Sequence, residues 1–285
     1  MALRNWGICE YPPADQLEKL VGDRNGQHGM RANGQWRLCN SMFGEDNMND
    51  PNMTAPSLQY DEMVHIGKDF SSREVVEAYD ARHRQFRDIE GENKAIIAGM
   101  GLEKNHTVAD FGSGTGAFVM QAAQKCEKVY AVDISPAMLD YAKWKAQNLG
   151  LTNIVYCHGG FLTYVHSGSP LDAISTSMAL HHLPDFWKQK ALARLQGMLK
   201  PNGKLFLADV VFTEKMYENN IQAWIDKLAS KMGEEMAEDM SRHIRTEHST
   251  FSWIMEGLLL RAGFKIDHAE YTDGVLAKYF CTKVT

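Results

Sequence analysis

The sequence has no cysteine pair at C-x-x-C spacing, no Cys/His cluster, no long uninterrupted apolar run and no excess of basic residues. Each absence excludes something. The five cysteines, Cys9, Cys39, Cys126, Cys157 and Cys281, are scattered and odd in number; this argues against a disulfide scaffold or a zinc motif and predicts free thiols in a reducing compartment. No segment is long and apolar enough to cross a bilayer. The start, MALRNWGICEYPPADQ, has no apolar stretch after a basic one, so no signal peptide is expected. A formal net charge of −6 weighs against a polyanion as principal partner. The expectation is a cytoplasmic protein with a small-molecule ligand, partnered by neither nucleic acid nor membrane.

Residues 1–70 are poor in periodic apolar positions. GDRNGQHGMRANGQWRLCNSMFGEDNMNDPNMTAPSLQY is rich in Gly, Asn, Asp and Met, a composition that favours turns. Trp6, Trp36, Phe43 and Tyr60 argue that this arm nevertheless docks, as a lid over a site or as the contact of a homodimer. A disordered leader is the alternative. Residues 71–285 read as the main domain. Ser71 and Glu74 have capping-box spacing, and Val75/Val76, Tyr79, His83 and Phe86 recur every three or four residues, predicting a helix.

From residue 107 strands alternate with helices. TVADF, KVYAVDI, NIVYCHG, LDAISTSM and KLFLADVVF read as strands; GAFVMQAAQKC, SPAMLDYAKWKAQNLG and DFWKQKALARLQGMLKPNG read as helices. That alternation predicts a parallel sheet covered on both faces. A polar helical insertion follows at about 214–250. The helix TFSWIMEGLLLRAGF and two strands joined at Asp273-Gly274 close the chain, the last strand antiparallel because no crossover helix precedes it. The sixteen methionines read as adaptable core and arm residues, not as copper ligands.

VADFGSGTGAF, residues 108–118, carries the chemistry. Gly112, Gly114 and Gly116 let the backbone pass close beneath a ligand, and the next helix offers free N–H groups. Asp133 ends the second strand, where a carboxylate accepts hydrogen bonds from ribose hydroxyls, so a nucleoside is expected. GSGTGA also satisfies the dinucleotide fingerprint. Three features separate the candidates: Asp110 directly before the loop, where a pyrophosphate is repelled, the antiparallel pair at the end, and MALHHLPD after the fourth strand.

With GGFLTY, MLKPNGKLFLADVVF and LLLRAGFKI in the same order, the sequence resembles the class I S-adenosylmethionine-dependent methyltransferases, in their bacterial small-molecule branch. The resemblance implies an α/β, Rossmann-like class I methyltransferase fold: a seven-stranded, mostly parallel sheet in the order 3-2-1-4-5-7-6, with helices on both faces. It implies S-adenosylmethionine on the loop Gly112, Ser113, Gly114 and Gly116, with Asp110 near its amino group and Asp133 on the ribose. Ile134 and Met138 would flank adenine or ribose, and Ser177 and Met178 would lie near the methionine portion. The chain departs from the family in one place. Many members have an acidic residue after the third strand for the adenine amine, whereas this chain reads His158-Gly159-Gly160-Phe161. Adenine is then expected to meet backbone at Gly160 and the ring of Phe161.

An activated sulfonium needs an aligned acceptor, dry surroundings and sometimes a base. His182 is the first candidate, with Tyr79 and His83 on the helix ahead of the fold. Tyr60, Phe86, His181, His243 and Arg245 are the candidate acceptor contacts, Arg245 as a carboxylate clamp. His243, Glu247 and His248 resemble a metal set only loosely, and no metal is expected. Methyl transfer to a small molecule, releasing S-adenosylhomocysteine, is the first reading. Transfer or cyclisation of the aminocarboxypropyl arm, releasing methylthioadenosine, is the second, and a non-catalytic sensor of the cofactor is the third.

Overall fold

The computed structural model describes residues 58–64, 72, 75–77, 80 and 88–284. Tyr79, His83, Phe86, the pair Ser71 and Glu74, and the arm as far as residue 57 lie outside the described residues. In chain order the elements are α1 (Ile89–Gly99), β1 (Thr107–Phe111), α2 (Ala117–Lys125), β2 (Lys128–Asp133), α3 (Pro136–Asn148), β3 (Ile154–His158) and β4 (Leu171–Ser177). After a single 3-10 turn at Leu180–His182 come α4 (Asp185–Met198), β5 (Leu199–Phe212), α5 (Tyr217–Met232), α6 (Glu234–Thr246), β6 (Thr250–Phe251), α7 (Ser252–Arg261), β7 (Phe264–Thr272) and β8 (Leu276–Lys283).

The inner strands are largely apolar because both of their faces are covered, and alternate residues serve opposite faces. Val108, Val129, Ala131, Ala173 and Phe206 pack with Phe118, Val119 and Ala122 of α2 and Leu139, Ala142 and Ala146 of α3. Their neighbours Ala109, Val132, Ile174, Leu205 and Leu207 pack on the other side with Ala191, Leu192 and Leu195 of α4 and Met255 and Leu259 of α7. Each fully buried leucine here contributes roughly 1.5–3 kcal/mol.

The sheet runs β3-β2-β1-β4-β5-β8-β7, and β6 pairs with β5 off that path. This is the predicted order with one two-residue strand added, which renumbers the last two. β1 to β5 are mutually parallel, and β8 is antiparallel to both β5 and β7. α3 begins as predicted: the Ser135 hydroxyl accepts the Met138 N–H at 3.2 Å and Pro136 takes the first helical position.

One expectation needs correction. The helix expected to run to Pro201 and Gly203 ends at Met198, and Leu199 already pairs with Leu171 in the sheet; a residue before proline avoids the helical region, so Lys200 is extended, and Asn202 turns at φ +62°. The insertion is a pair of helices, broken at Gly233 where φ is +88°. Among the described residues no helix is long and apolar enough to cross a membrane.

Candidate active site

The carboxyl ends of β1, β2 and β4 converge on one cavity of about 140 Å³, at the edge where open α/β sheets bind ligands. A larger groove of about 1480 Å³ lies against α1, α2 and α3, but it is walled by charged groups such as Glu90, Lys94 and Lys125 and includes none of the loop glycines. The chemistry is therefore read from the smaller cavity.

The glycine loop is built by backbone and one carboxylate. Gly112 and Ser113 donate their N–H groups to Val132 O at 2.9 and 3.1 Å. Gly114 N–H donates to Asp133 Oδ2 at 2.7 Å, and Ser135 N–H to Asp133 Oδ1 at 2.8 Å. Asp133 thus braces two turns at the mouth of the sheet. A Cβ on Gly112 would stand 2.3 Å from Ala179 Cβ, whereas one on Gly114 would meet nothing within 4 Å. Gly112 is required by the protein's own packing; Gly114 faces open space.

Most of the predicted cofactor residues line this cavity: Gly112, Gly114, Asp133, Ile134, Met138, Gly160, Phe161, Ser177 and Met178, together with His182 and Tyr60. The remaining candidates stand elsewhere. Asp110 is buried beneath the loop with a hydrogen bond to Ser175, and burial, with the nearby Asp133 charge, raises its carboxyl to about 8. Ser113 is buried, and its hydroxyl has no partner among the described residues. Gly116 packs against Met120 and Ala142.

His181 and His243 are buried behind the wall in a charged network. His181 Nδ1 meets Asp209 Oδ1 at 2.5 Å, and its backbone N–H donates to Asp209 Oδ2 at 2.9 Å. His181 Nε2 lies 3.0 Å from Glu247 Oε2, which also sits 2.7 Å from His243 Nδ1 and 3.6 Å from His182 Nδ1. His243 Nε2 pairs with the Ser249 hydroxyl at 2.9 Å. Arg245 points away, 60% exposed, and pairs with Glu238 at 2.7 Å.

The two adjacent histidines are driven apart in proton affinity. Burial alone would lower His181, but Asp209 and Glu247 overcome it and raise the ring to about 9. Burial lowers His182, and the neighbouring His181 cation lowers it further, to about 4. The carboxyls of Asp209 and Glu247 resist burial and sit below their ordinary values because His181 pairs with both. His181, His182 and Glu247 are also the set of described residues whose donor atoms lie close enough to share a metal ion, all within 4.8 Å. Both ring nitrogens of His181 already face carboxylates, so the set is satisfied as an ion-pair network.

Several contributors escaped the sequence reading. Glu62, Val64, Ser135, Gly159, Ala179 and Leu183 line the cavity. Asp209 was legible as a lone acid inside the apolar run FLADVVF. Glu62 and Val64 had no signal, since they lie in a turn-rich segment without period.

A family model described as "Methyltransferase domain" matches residues 108–203. The chain is 30% identical over 197 residues to an uncharacterized methyltransferase of Oceanobacillus iheyensis, covering 67% of this chain and 81% of the relative. It is 29% identical over 195 residues to an uncharacterized methyltransferase of Geobacillus kaustophilus, covering 68% and 84%. In fold it is similar to an S-adenosylmethionine-dependent methyltransferase from Aquifex aeolicus, with a TM-score of 0.53, 20% identity and coverage of 75% of this chain and 99% of that one. With a methyltransferase-domain match over the strand-helix core and relatives up to 30% identical over two thirds of the chain, the chain belongs to the class I S-adenosylmethionine-dependent methyltransferases.

Proposed function

We propose that the chain transfers a methyl group from S-adenosylmethionine to a small-molecule acceptor by in-line displacement, with His182 holding the acceptor. The residues fit the cofactor: open space stands over Gly114, Asp133 is placed for the ribose, and Ile134, Met138 and Phe161 give an apolar wall. Bound there, the cofactor supplies a methyl group already activated by positive sulfur. The chain's own work is to exclude water and to orient.

The observation that carries this reading is the split between His181 and His182. A histidine held to about 4 stays neutral at pH 7, so it adds no like charge beside a sulfonium. Glu247 lies on the Nδ1 side of the ring, leaving the other nitrogen for the acceptor. Such a weakly basic ring does not strip a proton in the ground state. It accepts one as the acceptor gains the methyl group and becomes acidic. A net negative chain supports a small acceptor over a nucleic acid.

The test is product analysis by mass spectrometry, with the cofactor alone and then with an acceptor panel. S-adenosylhomocysteine formed only with an acceptor is expected, and His182→Ala should lower the rate at least tenfold while leaving S-adenosylhomocysteine affinity nearly unchanged. Methylthioadenosine released without any acceptor would overturn methyl transfer.

A further inference from the structure

The short segment 58–64 crosses both ends of the cavity. Tyr60 Oη donates to His182 O at 3.4 Å at the acceptor end. At the other end Glu62, only 6% exposed, is docked on the turn that follows β3. Its Oε1 accepts the Leu162 N–H at 2.8 Å, the Thr163 N–H at 2.7 Å and the Thr163 hydroxyl at 2.8 Å. Those donors offset part of its charge and fix its position.

All three bonds fall on one oxygen. The other, Oε2, stands where a side chain of residue 160 would begin: a Cβ on Gly160 would lie 2.5 Å from Oε2 and 2.6 Å from the carboxyl carbon. Glycine at 160 therefore makes room for a carboxylate arriving from far upstream. Glu62 lines the cavity beside Gly160 and Phe161. With a nucleoside ribose on Asp133 and its sulfur toward His182, the base falls at this end, against Ile134, Met138 and Phe161. The exocyclic amine of an adenine is a donor that needs an acceptor, and Glu62 is the carboxylate among the described residues lining this end.

We infer that Glu62 selects the cofactor's base, with Oε2 accepting the hydrogen bond of the adenine amine while Oε1 anchors the segment to the turn after β3. The inference rests on the cofactor reading above. It assigns to a residue outside the sheet the discrimination between a 6-amino and a 6-oxo purine, because a 6-oxo group would set two acceptor oxygens against each other.

The experiment is calorimetric titration of the full chain and of Glu62→Gln with S-adenosylhomocysteine and with S-inosylhomocysteine, alongside thermal unfolding without ligand. The unmodified chain should prefer the 6-amino compound by about tenfold to a hundredfold, the equivalent of one hydrogen bond to a charged group. Glu62→Gln keeps an oxygen for the Leu162 and Thr163 donors and presents an amide N–H₂ in place of Oε2. It should unfold at nearly the same temperature, bind S-adenosylhomocysteine at least about tenfold more weakly and lose or invert the preference, whereas a merely structural residue would weaken both ligands together. An unchanged preference in Glu62→Gln, with S-adenosylhomocysteine still bound by the unmodified chain, overturns this assignment alone. No binding of S-adenosylhomocysteine by the unmodified chain overturns the cofactor reading with it.

Discussion

Gly112 and Gly114 stand two positions apart and answer to different neighbours. Both have positive φ, +68° and +52°, so a side chain at either costs about 1–2 kcal/mol of backbone strain. At Gly112 a methyl group would also collide with Ala179, so Gly112→Ala should lower the thermal midpoint severely and carry the binding loss as a consequence. At Gly114 the methyl group meets only the open cavity. Gly114→Ala should unfold within a few degrees of the parent yet bind S-adenosylhomocysteine at least tenfold more weakly, as read by thermal unfolding and calorimetry on both variants. Equal destabilisation with equal binding loss would refute this division of labour. The two glycines were legible as a loop, and Asp133 as its partner, because their spacing along β1 and β2 follows strand length. The difference between them was not, since it depends on Ala179, a residue distant in sequence.

At the scale of elements, the buried network joins three pieces that sequence reading treated separately. Asp209 belongs to β5, His181 to the turn after β4, and His243 and Glu247 to α6 and its end. Lys188 of α4, fully buried, adds a bond to His248 O on the same segment and an ion pair with Asp185. The network therefore fastens the helical insertion to the sheet, and it makes that fastening depend on pH. The folded ring of His181 titrates near 9 instead of 6.5. Its contribution is thus present in full below about 6.5 and is lost as pH rises through about 9. Removing the ring takes the paired cation from the buried Asp209, a loss of about 3–5 kcal/mol. Denaturant unfolding of the parent and His181→Gln should differ by that order at pH 6 and converge by pH 10; a constant gap across that range would place the stabilisation in packing instead of charge. The pairing was hidden in the sequence because ion pairs across elements leave no period.

At the scale of the whole molecule, the question is which nucleoside compound the fold accepts, since the loop pattern alone admits a dinucleotide. The sheet order was readable from the alternation of strands and helices and from the turn at Asp273-Gly274. The two-residue β6 was not, being too short to show a pattern, and the register of the segment 58–64 was not, because it comes from contacts to residues about a hundred positions later. What separates the ligand classes is the carboxyl beneath the loop: Asp110 is buried and raised to about 8, and an amine-bearing sulfur nucleoside favours its charged form whereas a pyrophosphate opposes it. A ligand that binds only the folded chain stabilises it by about 2.7 kcal/mol at a hundred times its dissociation constant. For a chain of this size each kcal/mol is worth roughly 2–4 °C, so saturating S-adenosylhomocysteine should raise the thermal midpoint by roughly 5–10 °C. Nicotinamide and flavin dinucleotides at the same concentration should leave it unmoved. If a dinucleotide raised the midpoint while S-adenosylhomocysteine did not, the electrostatic argument at Asp110 would be wrong, and the assignments of His182 and Glu62 would lose their common ligand.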